Sequence, residues 1–193
     1  DSLLYVRADE VKAGDALVHY TLAWRAQTAR WLDAWFAGAH LGDGSAYEKR
    51  FTYQPSRRYW AQQAEALRRR FIFKIRAAER EVVERYAEFF HGFCSSRAKV
   101  VTTATPNGTP VWDYTVASFQ ASRATALIDG QVGKKTATLR VPRWITSEPD
   151  QYFLPFLAGL IDTDGTVNKE SGSVSISSAN AEFIGELKRL LSL

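Results

Sequence analysis

The chain is poor in the residues that build disulfides and metal clusters with soft ligands. It has one cysteine, Cys94, in 193 residues, which excludes an intrachain disulfide and a cysteine-based zinc site. Its three histidines lie too far apart to form a ligand cluster by spacing. It lacks an apolar run of about 18 residues and a signal-peptide pattern. We therefore expect no membrane partner, and a reducing cytoplasmic setting rather than secretion.

Positive charge is present, but it is concentrated. The net charge is only +4, with a pI near 9.2 and 46% hydrophobic residues. Residues 45–76 carry nine basic and two acidic side chains, which gives +7, and residues 120–145 carry five and one, which gives +4. Aromatic residues interleave the first zone. Such a charge distribution fits a polyanionic partner but does not demand one.

The hydrophobic periodicities predict a chain of mixed α+β class. The predicted helices cover residues 28–41, much of 60–93, 147–164 and 181–191. Ser147 is the expected N-cap of the third helix. The predicted strands cover residues 45–53, 99–105, 111–119, 136–141 and 174–177, and the stretch PNGTP joins two of them as a hairpin turn. Residues 3–20 read as two further short strands around a turn.

One helix end occurs twice. Residues 36–44 read FAGAHLGDG and residues 157–165 read LAGLIDTDG, so Ala-Gly and Asp-Gly recur 121 residues apart. A glycine inside a helix costs roughly 1 kcal/mol against alanine, and small residues let two helices approach closely. If the two helices pack on each other, Asp43 and Asp164 lie side by side. A single Asp-Gly after a helix is commonly only a stop signal; the repetition favours a site.

Two carboxylates beside helix-terminal carbonyls, at Gly42 and Thr163, form a hard-oxygen site. Such a site suits Mg²⁺, and Mn²⁺ or Ca²⁺ could occupy it too. Carboxylates that share divalent ions are the arrangement that hydrolyses phosphodiesters. The predicted metal ligands and catalytic acids are therefore Asp43 and Asp164.

The second stretch resembles the signature of the LAGLIDADG homing endonucleases, with Thr163 in place of alanine, and the first resembles the degenerate first motif of their two-motif, single-chain members. Residues 134–167 look like the approach to the second motif in the intein-encoded subgroup. The resemblance implies a pseudo-twofold pair of αββαββα halves, residues 28–146 and 147–193, whose curved antiparallel sheets bind DNA. It implies a site-specific, metal-dependent double-strand DNA endonuclease with a long asymmetric target. Residues 1–27 resemble a segment of intein splicing domains.

The resemblance also implies basic residues near the metal acids, for which the candidates are Lys134, Lys135 and Lys169. The candidates for DNA contact are Arg50, Arg57, Arg58, Arg123, Lys135 and Arg140, because strand side chains alternate between a core and a DNA-facing side. His40, in an apolar motif position, is expected to be a helix-face residue.

Two departures leave alternatives open. The first motif has Leu41 where the second has Asp162, so Asp162 is expected to be structural rather than a metal ligand. The second half has only 44 residues from Asp150 onward, so either another segment or another chain is expected to complete it. The alternative function is a DNA- or RNA-binding module of the same fold that does not cleave, as in maturases.

Overall fold

The computed structural model describes residues 30–50, 69–95, 98–133, 138–168 and 170–192, without the side chains of Arg50 and Arg69. The helices are α1 (Trp31–Leu41), α2 (Arg80–His91), α3 (Ser122–Leu127), α4 (Arg143–Ser147), α5 (Pro149–Asp164) and α6 (Ala181–Leu191). The strands are β1 (Ser45–Arg50), β2 (Arg69–Ala77), β3 (Val101–Ala104), β4 (Pro110–Ser118), β5 (Gly165–Val167) and β6 (Val174–Ile176).

The element order repeats. Among the described residues it is αββαββα from α1 to α3, and αββα from α5 to α6. The first four strands form an antiparallel sheet in the order β1-β2-β4-β3, and β5 pairs with β6 in a second antiparallel sheet. This is the predicted α+β class with antiparallel sheets. Within the described ranges, no helix is both long and apolar enough to cross a bilayer.

The four-stranded sheet has a buried inner face because its side chains alternate. Phe73 and Ile75 on β2 lie opposite Val116 and Tyr114 on β4, and all four are buried. Helix α2 covers this face through apolar residues at helical spacing: Val82, Val83, Tyr86, Phe89 and Phe90. The aromatic rings continue into α1, where Phe36 stacks on Phe89 with ring centroids 3.8 Å apart.

The predicted helix over residues 60–93 is wrong in its described first part. Residues 69–77 form strand β2, and the helix begins only at Arg80. The end of this stretch, FKIRA, alternates apolar and charged side chains, a period of two that is typical of a strand and that the prediction of a helix overlooked. Arg70, Lys74 and Arg76 therefore share one face of a sheet rather than being spread around a helix.

Two other expectations about boundaries are wrong. Ser147 does not cap α5, because it is the last residue of α4 and its hydroxyl donates to the Arg143 carbonyl at 2.8 Å. Helix α5 begins with Pro149 after Glu148, since proline suits a first helical turn, where no N–H donor is needed. Residues 138–141 lie in a turn and irregular chain, not a strand. Residues 51–53, the predicted strands in 3–20 and residues 136–137 lie outside the described residues.

Candidate metal and nucleic-acid site

The two motif helices, α1 and α5, pack directly on each other, backbone against backbone. A Cβ atom built on Gly38 would overlap the Phe156 carbonyl oxygen and lie 2.9 Å from the Leu160 nitrogen. A Cβ atom built on Gly159 would overlap the Trp35 carbonyl oxygen and lie 2.8 Å from the Ala39 nitrogen. Such separations are shorter than real Cβ contacts, so only glycine allows the two helices to come this close.

The contacts around Gly38 and Gly159 are reciprocal, as expected for two helices related by a pseudo-twofold axis. Adding 121 to Gly38, Trp35 and Ala39 gives Gly159, Phe156 and Leu160, which are the residues in the reciprocal contact. The sequence repeat is therefore a repeat in space, with α1 and α5 crossing at equivalent points. The expectation that the two Ala-Gly faces pack on each other is confirmed.

The carboxyl ends of the two helices consequently meet. A Cβ atom on Gly42 would contact the Thr163 hydroxyl and lie 3.4 Å from Cβ of Asp164. Asp43 directly follows Gly42, and both aspartates are exposed. The chain then turns back tightly in both copies: a Cβ on Gly44 would lie 2.6 Å from Cα of His40, and one on Gly165 would lie 2.7 Å from Cα of Ile161.

Asp162 occupies a different environment from Asp164. Its Oδ2 accepts a hydrogen bond from Nε1 of Trp35 at 2.8 Å and pairs with the Arg85 guanidinium at 3.3 Å. Arg85, on α2, also lies over the ring of Trp35, 5.1 Å from its centroid. Two residues along a helix turn the side chain by about 200°, so Asp162 and Asp164 leave α5 on different sides. The Arg85 charge offsets a carboxylate at the negative end of the helix dipole.

His40 lies beneath the first Asp-Gly turn. It is fully buried, and its Nδ1 is 2.7 Å from the Tyr86 hydroxyl. Burial raises the pKa of Tyr86 well above its usual value, so the hydroxyl stays protonated. The expectation of a residue on the helix face is met, and the face is one that packs into the aromatic core.

The outer face of the sheet lies beside Asp43. We use the term outer face for the side chains of β1, β2 and β4 that point away from α2. By register, these side chains include Ser45, Lys49, Arg70, Lys74, Arg76, Asp113 and Thr115. Asp43 joins Ser45, Lys74, Arg76, Asp113 and Thr115 in lining a groove of about 490 Å³. The groove therefore holds two carboxylates, one of which belongs to a motif, and two cationic side chains.

Sequence reasoning missed Lys74 and Arg76, because it assigned them to a helix. Of the predicted sites, Arg123 lies on α3 with its guanidinium 5.5 Å from the Phe93 ring centroid, and Arg140 pairs with Glu182 and Glu186. Neither is on the outer face. Arg50 lies on β1, with its side chain undescribed. Lys134, Lys135, Lys169, Arg57 and Arg58 lie outside the described residues.

The donors at the helix ends fit a hard divalent cation. Two exposed carboxylates stand next to the last carbonyls of two helices, which are oxygen ligands of the kind that Mg²⁺ and Mn²⁺ take. Among the described residues, no three histidine, cysteine, aspartate or glutamate side chains form a metal-sized cluster. A metal would thus rely on Asp43 and Asp164 together with backbone and water oxygens.

Comparison with known proteins supports the same architecture. The family model of the LAGLIDADG-like domain matches residues 153–193. A variant of I-DmoI, solved in complex with its nicked target DNA and manganese, has a TM-score of 0.53 at 12% identity over 84% of this chain and 75% of that chain. The homing endonuclease I-WcaI bound to its DNA recognition sequence has a TM-score of 0.51 at 13% identity over 95% and 75%.

The chain has the fold of the LAGLIDADG homing endonucleases. Similarity to curated proteins is more local. A stretch of 58 residues is 36% identical to a probable translation initiation factor IF-2 of Thermococcus kodakarensis, and one of 66 residues is 36% identical to elongation factor 2 of Methanopyrus kandleri. These stretches cover 30% and 34% of this chain but only 5% of each relative. A match over so small a part of a translation factor gives no reason to assign its activity to this chain.

Proposed function

We propose that this LAGLIDADG protein is a site-specific double-strand DNA endonuclease in which Asp43 and Asp164 hold a divalent metal ion, with Mg²⁺ as the expected ion. The observation that carries the proposal is the meeting of the two Asp-Gly helix ends, which follows from the reciprocal glycine contacts of α1 and α5. A bound metal ion would activate water and stabilise charge on the leaving oxygen. The Gly42 and Thr163 carbonyls are the proposed backbone ligands.

The protein's own residues would bind and orient the DNA. The outer face supplies Arg76 and three further cations, Lys49, Arg70 and Lys74, which suit the phosphate backbone. In the described part of the chain, Lys74 lines the same groove as Asp43. There it would hold the phosphate next to the metal ion. DNA is also the molecule to which both structural neighbours are bound. Action on DNA would put the protein with the chromosome in the cytoplasm. Its origin in an intein stays a prediction, as does a further segment or chain completing the second half.

Metal binding can be tested without cleavage. Titration with Mn²⁺, followed by the loss of the free-ion signal in electron paramagnetic resonance, should show a site that Asp43→Asn and Asp164→Asn each weaken at least about tenfold, because a carboxylate ligand is lost. Asp150→Asn is the matched control, since it removes the same charge from the opposite end of α5. Equal affinity in all three variants would refute the metal site.

Cleavage is tested with a plasmid library that carries random inserts, in the presence of Mg²⁺. Cutting by the wild type and by Asp150→Asn, but not by Asp164→Asn, supports the endonuclease and reveals its target. If the Mn²⁺ site is present and DNA is bound in a salt-sensitive way, yet no strand is nicked, the alternative function, a binding module of this fold, is correct instead.

A further inference from the structure

Arg76 and Asp113 form the best-defined polar pair on the outer face. They lie directly opposite each other on β2 and β4. Nε of Arg76 donates to Oδ1 of Asp113 at 2.7 Å, and the NH2 nitrogen donates to Oδ2 at 3.0 Å. The Thr103 hydroxyl, from β3, also donates to Oδ2. Three strands therefore contribute to fixing one guanidinium plane.

Stabilisation of the sheet is a weak reason for this pair. The Arg76 side chain is 60% exposed, and exposed ion pairs contribute little because water screens them. Asp113 would also lower the affinity of a surface proposed to bind DNA, since its carboxylate repels phosphates. A carboxylate in this position is useful if it holds an arginine in one orientation for a contact that depends on direction.

The geometry points to such a contact. Arginine has five N–H donors in a planar fork, and Asp113 uses the edge formed by Nε and NH2. The edge formed by NH1 and NH2 keeps one donor on each nitrogen. We infer that this edge of Arg76 reads a guanine in the major groove, through its O6 and N7 acceptors, and that Asp113 is the residue that orients it. The inference rests on the proposed function, because it assumes that the outer face lies on DNA.

The position of the guanine relative to cleavage follows from the groove. Arg76 and Asp43 line the same 490 Å³ space, so the base pair that Arg76 reads should lie close to the phosphate that faces Asp43. Specificity for this guanine would then be a property of the central part of the target rather than of its ends.

The first experiment is selection of bound duplexes from a random pool, in Ca²⁺, by the wild type and by Arg76→Ala. The wild-type consensus should contain a guanine near its centre whose preference disappears in the variant, while the other positions are kept. Loss of the contact should weaken binding to the guanine-containing site by about 5- to 150-fold. An equal loss on all sequences would mean that Arg76 contacts phosphate, and this would overturn the inference.

Base analogues test which edge is read. Replacing the selected guanine by 7-deazaguanine removes N7 and should weaken wild-type binding, whereas inosine keeps O6 and N7 and should bind within about twofold of guanine. Neither analogue should matter for Arg76→Ala. If inosine weakens binding and 7-deazaguanine does not, the guanine is read in the minor groove and the inference is refuted.

Two further variants separate orientation from charge. Asp113→Ala should bind unrelated DNA more tightly, because a negative charge is gone, but should discriminate less at the guanine, because Arg76 is no longer held. Arg80→Ala is the matched control: Arg80 pairs with Glu84 through Nε at 2.7 Å, but it lies on α2, and its consensus should be unchanged. A wild type that selects no sequence would overturn the proposed function and this inference together, whereas an unchanged consensus in Arg76→Ala overturns the inference alone.

Discussion

The contact between α1 and α5 predicts that Gly159→Ala destabilises the protein. Alanine is the better helix former by about 1 kcal/mol, so on helix propensity alone the substitution should be stabilising. The new Cβ, however, would overlap the Trp35 carbonyl oxygen and lie 2.8 Å from the Ala39 nitrogen. Both are backbone atoms of a helix, which cannot move aside as a flexible side chain can, so the two helices must separate.

The size of the effect follows from these opposing contributions. Overpacking of this kind typically costs 1–3 kcal/mol and occasionally more; with backbone atoms as the obstacle we expect the upper part of that range, and a net loss of about 2 kcal/mol after the gain in propensity. For a chain of this size, Tm should fall by about 4–8 °C. Thermal unfolding followed by circular dichroism measures this directly.

Gly185→Ala is the matched control. Gly185 lies in α6, and a Cβ built on it has no heavy atom within 4 Å. The same substitution should therefore stabilise the protein by up to about 1 kcal/mol, which raises Tm instead of lowering it. A Gly159→Ala protein with a Tm at or above that of the wild type would show that the two motif helices do not meet as described.

Two further predictions concern buried and paired polar groups. Tyr86→Phe should destabilise the protein by about 1–3 kcal/mol, because it leaves buried His40 without its hydroxyl partner. Tyr114→Phe should be neutral or stabilising, since the described residues offer the buried Tyr114 hydroxyl no hydrogen bond. Chemical denaturation of both variants checks the contrast, and equal losses of unfolding free energy would contradict it. The Arg76 guanidinium holds the pKa of the Asp113 carboxyl below its usual value, so this carboxyl adds stability above the pKa of an unfolded aspartate, about 3.9, and loses it as the pH falls through the lower folded value. The stability difference between wild type and Arg76→Ala should therefore be small at pH 7, because water screens so exposed an arginine, and it should shrink as the pH falls below about 4; a difference that is unchanged at about pH 2 would refute the cause given for the shift.

Much of the fold and the centre of the site were predictable from the sequence. The Ala-Gly and Asp-Gly repeat predicted that two helices pack closely and bring two carboxylates together, because glycine at both crossing points leaves few other arrangements. The helix over residues 181–191 was placed at its observed bounds, since its apolar residues have a clean helical spacing and Asn180 is available as the N-cap.

The basic side chains of the outer face were harder to predict, for physical reasons. Residues 69–77 contain charged side chains on a strand whose other side is buried, and the alternation of charged with apolar residues predicts a strand. The arginines that precede them are good helix formers, however, and favour a helix. Pairing in the sheet decided between the two, because β2 has partners on both edges. Which basic residues share a groove with Asp43 depends on the register of β1, β2 and β4, and register is a long-range property that no local pattern contains.

The two carboxylates at the end of α5 show how a repeat can acquire asymmetry without losing its symmetric core. The backbone contacts at the crossing, and the glycine and aspartate that follow, are equivalent in the two helices. Trp35 and Asp162, by contrast, have Phe156 and Leu41 as their equivalents, so the indole-to-carboxylate bond can form on one side only. Arg85 then joins Asp162 and ties α2 to the second motif helix. An acid that is already engaged by Trp35 and Arg85 is poorly suited to bind a metal, whereas Asp164, on another side of the same turn, is free of that cluster. The asymmetry thus secures α5 through Asp162, while Asp43 and Asp164, the proposed metal ligands, keep equivalent positions after the two helix crossings.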